Sequence, residues 1–274
     1  MTDCSGPGAP PTAVPLPAVV RAEALKLRTT RTASSLLLAL AAVVVVTVVV
    51  PVAVAPLGTG RFALVGAFAQ STLLSGAVIP AGLVALVLGV TAVAGEHRHR
   101  TWIPTLLATP RRGRVLAAKT IVHASLGLVL GVATSLVCLT VTVVGLRLRG
   151  VSFVLSTSDV VAAVGGAGGY VALLAVLGLG VGAAVANQVA ALGGLLVPFF
   201  VAEPAAVTVA PAAARWLPGQ TGSALAFPAS PATNGASLLG AHVAAQPVGG
   251  LVCAGYCLLA LAAGAAATRR REIP

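Results

Sequence analysis

Between Gly95 and Lys119 ionisable side chains crowd together as nowhere else in the chain: Glu96, His97, Arg98, His99, Arg100, Arg111, Arg112, Arg114 and Lys119. Several chemistries can be weighed against them. His97 and His99 flank an arginine; two imidazoles are too few for a closed zinc site, and the neighbouring guanidiniums repel a cation. Histidine titrates near neutrality, so a mild pH sensitivity of a docking surface is the better expectation for this pair. Cys253 and Cys257 are four apart and share a helix face, as soft metal ligands could. They sit inside an apolar run, however, where cysteine packs as a small apolar residue. Glu203 is an acid at the outer end of another apolar run, beside Pro204, and reads as a helix-end residue at a membrane boundary. An intramembrane enzyme needs convergent polar groups. The apolar runs offer only scattered Ser and Thr, His123 and the pair Asn187-Gln188. No catalytic, metal-binding or cofactor-binding residue is expected.

What must position these groups is lipid-embedded helix. Of 274 residues, 58% are hydrophobic and only 8% charged, where a soluble domain carries about a quarter charged residues. Mean hydropathy is +1.02. The net charge of +11 does not indicate nucleic acid. Basic residues cluster at the ends of apolar runs without an aromatic ladder, as membrane topology requires.

Membrane-length apolar runs lie at about 35–55, 71–95 (with Pro80 inside it, a kink) and 121–146. From Val160 to Ala202 there is no charged side chain. A helix of that length would measure about 65 Å, twice the hydrocarbon thickness, so the stretch must fold back, and Asn187-Gln188 marks the turn. This gives spans at 160–185 and 189–205, the latter short unless it passes Glu203. The last span is 248–268, before Arg269, Arg270 and Arg271. The fold class is an all-α integral membrane protein with six transmembrane helices. Residues 1–18, rich in proline, read as a disordered tail; 19–271 form one transmembrane domain, and 272–274 a C-terminal tail. The first span is expected to stay as a signal anchor.

With the N-terminus in the cytoplasm, thirteen basic residues lie inside, against Arg61, Arg147, Arg149 and Arg215 outside. That asymmetry places both termini in the cytoplasm. Arg147 and Arg149 either snorkel to the outer interface or mark a misplaced end of the third span. Prolines between Glu203 and Pro247 exclude one continuous helix, so short interfacial or re-entrant helices are expected before span six. Trp216 reads as an interfacial anchor. Gly165, Gly166, Gly168, Gly169, Gly178, Gly180 and Gly182 make span four smooth, suiting a packing seam or a dimer interface.

Two basic segments carry the functional reading. Before span one, Arg21, Leu25 and Arg28 are helically spaced, with Val20, Ala24 and Leu27 on a more apolar side. Together with Glu23, Lys26 and Arg31 they suggest an interfacial helix on anionic lipid. After span two, Thr101 to Leu107 can form a short helix with Pro104 in its first turn. Pro110 ends it, and Arg111-Arg112-Gly113-Arg114 begins the next element. A short helix held between two spans is a lever, transmitting the motion of a bound partner to both.

The order Arg21-Ala22-Glu23-Ala24-Leu25-Lys26-Leu27-Arg28, span, span, Glu96…Thr101…Leu106-Leu107-Ala108-Thr109-Pro110-Arg111-Arg112…Leu116…Lys119, span resembles permease subunits of ABC-2 type ABC transporters. The six-span layout and the long connection before the last span are similar too. The chain departs from the family pattern at Arg100, where glycine often precedes the threonine. The resemblance implies that the N-terminal segment is an elbow helix. It also implies a cytoplasmic coupling helix between spans two and three that docks an ATPase. Glu96, Thr101, Trp102, Leu106, Leu107, Pro110, Arg111, Arg112, Arg114 and Lys119 would belong to that docking region. No Gly-x-x-x-x-Gly-Lys-Ser/Thr phosphate loop occurs, so ATP and Mg would be bound by a partner ATPase.

The expected function is therefore a permease subunit, not itself an enzyme, in an ATP-driven exporter of a hydrophobic or amphipathic substrate across the cell membrane. Its expected partners are the ATPase, a second copy or a related permease, and lipid, with no nucleic acid. The alternative is a non-transport anchor or sensor subunit recruiting a soluble cytoplasmic partner.

Overall fold

The computed structural model describes residues 15–29, 31–55, 64–98, 112–185, 187–214, 216–226 and 245–270. Among them there is helix and no strand. An N-terminal helix, Leu16–Thr29, precedes six helices long and apolar enough to cross a membrane: Ser35–Val54, Ala67–Arg98, Gly113–Leu148, Thr157–Val185, Gln188–Val209 and Gln246–Arg270. Leu16–Thr29 starts inside the stretch expected to be tail. Pro15 and Pro17 fall at its start, where a missing N–H costs no intrahelical bond.

Most spans are longer than their apolar runs, because hydropathy marks the hydrocarbon while the helix continues to a breaker. Span three shows this. It runs through Arg147 and stops at Gly150, whose φ of 68° suits glycine. The amide of Gly150 bonds to the Arg147 carbonyl at 3.1 Å, and that of Val151 to Leu146 at 2.9 Å, the pattern of a Schellman stop. Span four opens with a capping box: Ser156 Oγ accepts from the Asp159 amide, and Asp159 Oδ2 accepts from the Ser156 amide, each at 3.2 Å. In span two the helix breaks at Gly76-Ala77 rather than at Pro80 itself. A proline ring clashes with the carbonyl four residues earlier, which here belongs to Gly76. The turn expected at Asn187 is present: its Oδ1 accepts from the amides of Val189 (3.0 Å) and Ala190 (3.2 Å), capping span five.

Span five passes Glu203 and ends at Val209. Of the short helices expected after it, Pro211–Ala214 and Pro218–Ala226 are present. Gln220, Thr221, Gly222, Ala224 and Ala226 of the second are buried, so it tucks into the bundle instead of lying on its surface. The apolar segment from Ser237 lies outside the described residues up to Ala245.

Spans two and four form the centre. In their most apolar windows 61% and 56% of residues are buried, against 17% in spans one and five. Tyr170, Leu174, Leu86 and Val90 lie in the largest core cluster. Close approach explains the glycines. A Cβ at Gly178 would strike the backbone of Leu86 in span two, one at Gly131 the backbone of Ala167 in span four, and one at Gly180 the backbone of Ala260 in span six. The smooth faces of span four are thus largely filled within the chain, while Gly165 and Gly169 face open space. Outward positions such as Leu38, Val129, Val189 and Leu251 are exposed apolar side chains, the surface that lipid solvates.

Candidate functional site at the basic end

Where span two ends and span three begins, four charges from three helices meet. The Lys119 ammonium, 1% exposed, donates to Glu23 Oε2 at 2.7 Å, to Glu96 Oε1 at 2.9 Å and to the Ala92 carbonyl at 3.1 Å. Lys26 donates to Glu23 Oε1 at 2.9 Å and Glu96 Oε1 at 3.0 Å. Two carboxylates and two ammoniums balance. That balance permits burial, since an isolated charge moved from water would cost several kcal/mol. The N-terminal helix reaches the cluster because Val19 and Glu23, four apart, share its buried face. Lys119 reaches it from the second turn of span three, and Glu96 from the last turn of span two.

Burial pushes the Glu23 carboxyl up, but the adjacent Lys119 and Lys26 ammoniums outweigh it and leave it below its ordinary range. For Lys26, burial acts downward, and the Glu23 and Glu96 carboxylates outweigh it to raise its ammonium. Both shifts favour the paired state across the neutral range. One turn beyond Lys119, His123 is buried, and its Nδ1–H donates to the Lys119 carbonyl at 2.9 Å, fixing the tautomer. His97 bonds in the same way to Val93 at 3.0 Å.

Of the residues expected to dock a partner, Glu96 and Lys119 are therefore turned inward and pair with each other. The Lys119 ammonium is enclosed at the joint of the N-terminal helix with spans two and three. Arg114 is half-buried in the first turns of span three. Thr101, Trp102, Leu106, Leu107, Pro110 and Arg111 lie outside the described residues, as does the Arg112 side chain. Of the N-terminal set, Glu23 is buried, Arg21 and Lys26 are exposed in part or whole, and the side chains of Arg28 and Arg31 lie outside the description.

The sequence reading missed this cluster, although a signal existed. The chain has only six acids, and two of them stand in basic segments at helix ends, where topology alone asks for cations.

At the opposite end Arg149 explains itself: its Nη1 donates to the Val52 and Ala55 carbonyls at 2.9 and 2.7 Å, capping the last turn of span one. Gln70, fully buried, donates to the Leu64 and Ser152 carbonyls and accepts from the Val154 amide, each at 2.9 Å, fastening the loops there. Glu203 is 4% exposed, and its Oε1 accepts from the Gly219 amide at 2.8 Å at the start of Pro218–Ala226. It is therefore a buried helix-capping acid, not an interfacial one. Cys253 and Cys257 are buried on span six, and Cys257 donates to the Leu173 carbonyl of span four at 3.1 Å. Trp216 is exposed near this end, and its carbonyl accepts from the Tyr256 hydroxyl at 3.2 Å.

Searches against protein-family models and against curated proteins matched this chain to none. A reading of its function rests on its own residues.

Proposed function

We propose that this chain is the membrane-spanning permease subunit of an ATP-driven ABC-2 type exporter, with a hydrophobic or amphipathic cargo and a separate ATPase. The observation that carries the reading is the Lys119 ammonium shared between Glu23 and Glu96. It locks the N-terminal helix and spans two and three into one unit. The two spans emerging from that unit are the ones joined by the basic 99–111 connection. A partner pressing on the connection would move all three helices together, which is what an elbow and a coupling helix need in order to transmit force. ATP and Mg would sit on the partner, and this chain would supply conformational change but no bond chemistry. A second copy or a related permease would complete the path, with both termini on the cytoplasmic side of the cell membrane. A hydrophobic or amphipathic cargo is in keeping with the apolar bundle. The Glu203 carboxylate, near the far end of span five, accepts from the Gly219 amide, and many outward-facing span positions, such as Leu38, Val129 and Leu251, are apolar.

Purification of the tagged chain from its native membrane in mild detergent tests this. A stoichiometric ATPase with hydrolysis by the complex is expected, and Arg111→Glu with Arg112→Glu and Arg114→Glu should weaken its retention. Recovery without any ATPase after cross-linking would transfer the weight to an anchor or sensor subunit.

A further inference from the structure

Spans one and five share a local design that occurs, among the described residues, in no other span. Each contains a single five-residue π turn, Val45–Val49 in one and Pro198–Ala202 in the other. Each turn closes through a bond back over five residues, Val50 to Val45 and Glu203 to Pro198. In both, the next residue is a proline, Pro51 or Pro204. Lacking an N–H, it cannot make the following rung, so the ladder is weakened immediately after it has been widened. Each turn lies inside its helix, Val45 fourteen residues past the helix start at Arg31 and Pro198 ten past Gln188. Both spans start from the basic end, so each turn separates a basic-end segment of its span from a far segment. These are also the two least buried spans, and no residue of the span-five turn is buried.

The far segments are fastened just beyond the turns. Arg149 holds the Val52 and Ala55 carbonyls of span one. Glu203 holds the Gly219 amide from span five. Below the turn, span one leads back to the N-terminal helix that carries Glu23 into the ion cluster. Displacement at the basic end therefore reaches a segment whose far end is clamped, and the weakened turn between them is where the backbone can yield.

We propose that the paired π–proline turns are hinges, about which the basic-end halves of spans one and five swing while their far halves stay anchored. This concerns the free chain in a bilayer and does not depend on the transport reading. Spin labels at Leu38→Cys and Val54→Cys, both exposed, bracket the first hinge and would be about 24 Å apart on a straight helix. Leu128→Cys with Val144→Cys gives the same spacing on uninterrupted span three, and Cys4→Ser removes the cysteine outside the spans. In the full chain reconstituted in lipid, the span-one distance distribution should be about twice as broad as the control. Deleting Val46, which removes the extra residue of the π turn, or restoring the N–H with Pro51→Ala should narrow it to the control width. A span-one distribution already as narrow as the control would overturn the hinge. So would a broad one unchanged in whichever of the two variants folds.

Discussion

The bundle buries carboxylates at both of its ends and stabilises them by opposite means. At the basic end Glu23 and Glu96 face ammoniums of Lys119 and Lys26. At the far end Glu203 forms no ion pair among the described residues and takes the amide of Gly219 at a helix start, where unpaired N–H groups and the helix dipole favour an anion. A salt bridge among three helices resists their separation in any direction, because every route leaves charges unpaired in a low dielectric. A helix cap fixes the direction of one short element and asks little of its neighbours. The basic end is thus built as a rigid joint and the far end as a set of separate fasteners, Glu203, Arg149 and Gln70, each holding one loop or helix end.

The largest effect that tests this contrast is Lys119→Met. It removes the common partner of two carboxylates, and breaking a buried pair from one side costs about 3–5 kcal/mol. Thermal unfolding in detergent should show that loss, and neutralising Glu23→Gln with Glu96→Gln in the same chain should recover much of it. A Lys119→Met protein within about 1 kcal/mol of the parent would mean that the cluster is not a joint. Acid should act in the same sense. Because the Glu23 carboxyl lies below its ordinary range in the folded chain, its contribution is complete above the unfolded pKa and is lost as pH falls through the folded one. Stability should therefore decline below about pH 4, and Glu23→Gln should flatten that limb.

How much of this was legible in the sequence depends on whether a signal was local. Six spans followed from hydropathy, and the turn at Asn187 from the one polar pair in an overlong apolar run. The break near Pro80 followed from proline chemistry, although it falls at Gly76 because the ring strains the carbonyl four residues back. The end of span three was misplaced because Arg147 looked like a boundary, while Gly150 supplies the actual stop. The ion cluster was illegible as a unit: Glu23, Glu96 and Lys119 are distant in sequence, and only packing brings them together. The same holds for Glu203, whose partner amide belongs to a helix begun fifteen residues later.

At the far end effects should be smaller and separable. Glu203→Ala leaves the Gly219 amide without an acceptor, and a bond to a charged group is worth about 1.5–3 kcal/mol. Glu203→Gln keeps an acceptor oxygen and should lose less. If Gln were as damaging as Ala, the charge and not the bond would matter, and the two ends would be more alike than the geometry implies. Arg149→Leu should cost about 1 kcal/mol through the loss of its two carbonyl contacts, with amide exchange rising in the last turn of span one and staying unchanged around Lys119.

The smallest effect comes from within the cluster. The Lys26 side chain is 48% exposed, and water screens a pair that open, so Lys26→Ala should change stability by about 0–1 kcal/mol. It still contacts both carboxylates, and its ammonium is raised by them, so its contribution is present below the unfolded lysine pKa and fades only as pH rises through the folded one. Lys119→Met and Lys26→Ala each remove one ammonium from the same two acids, and the chief difference between the sites is burial. A several-fold gap between them in a denaturation series would show that enclosure, not charge count, makes the basic end rigid. Equal losses would mean that solvent reaches both ammoniums and that the three helices are joined by apolar packing alone.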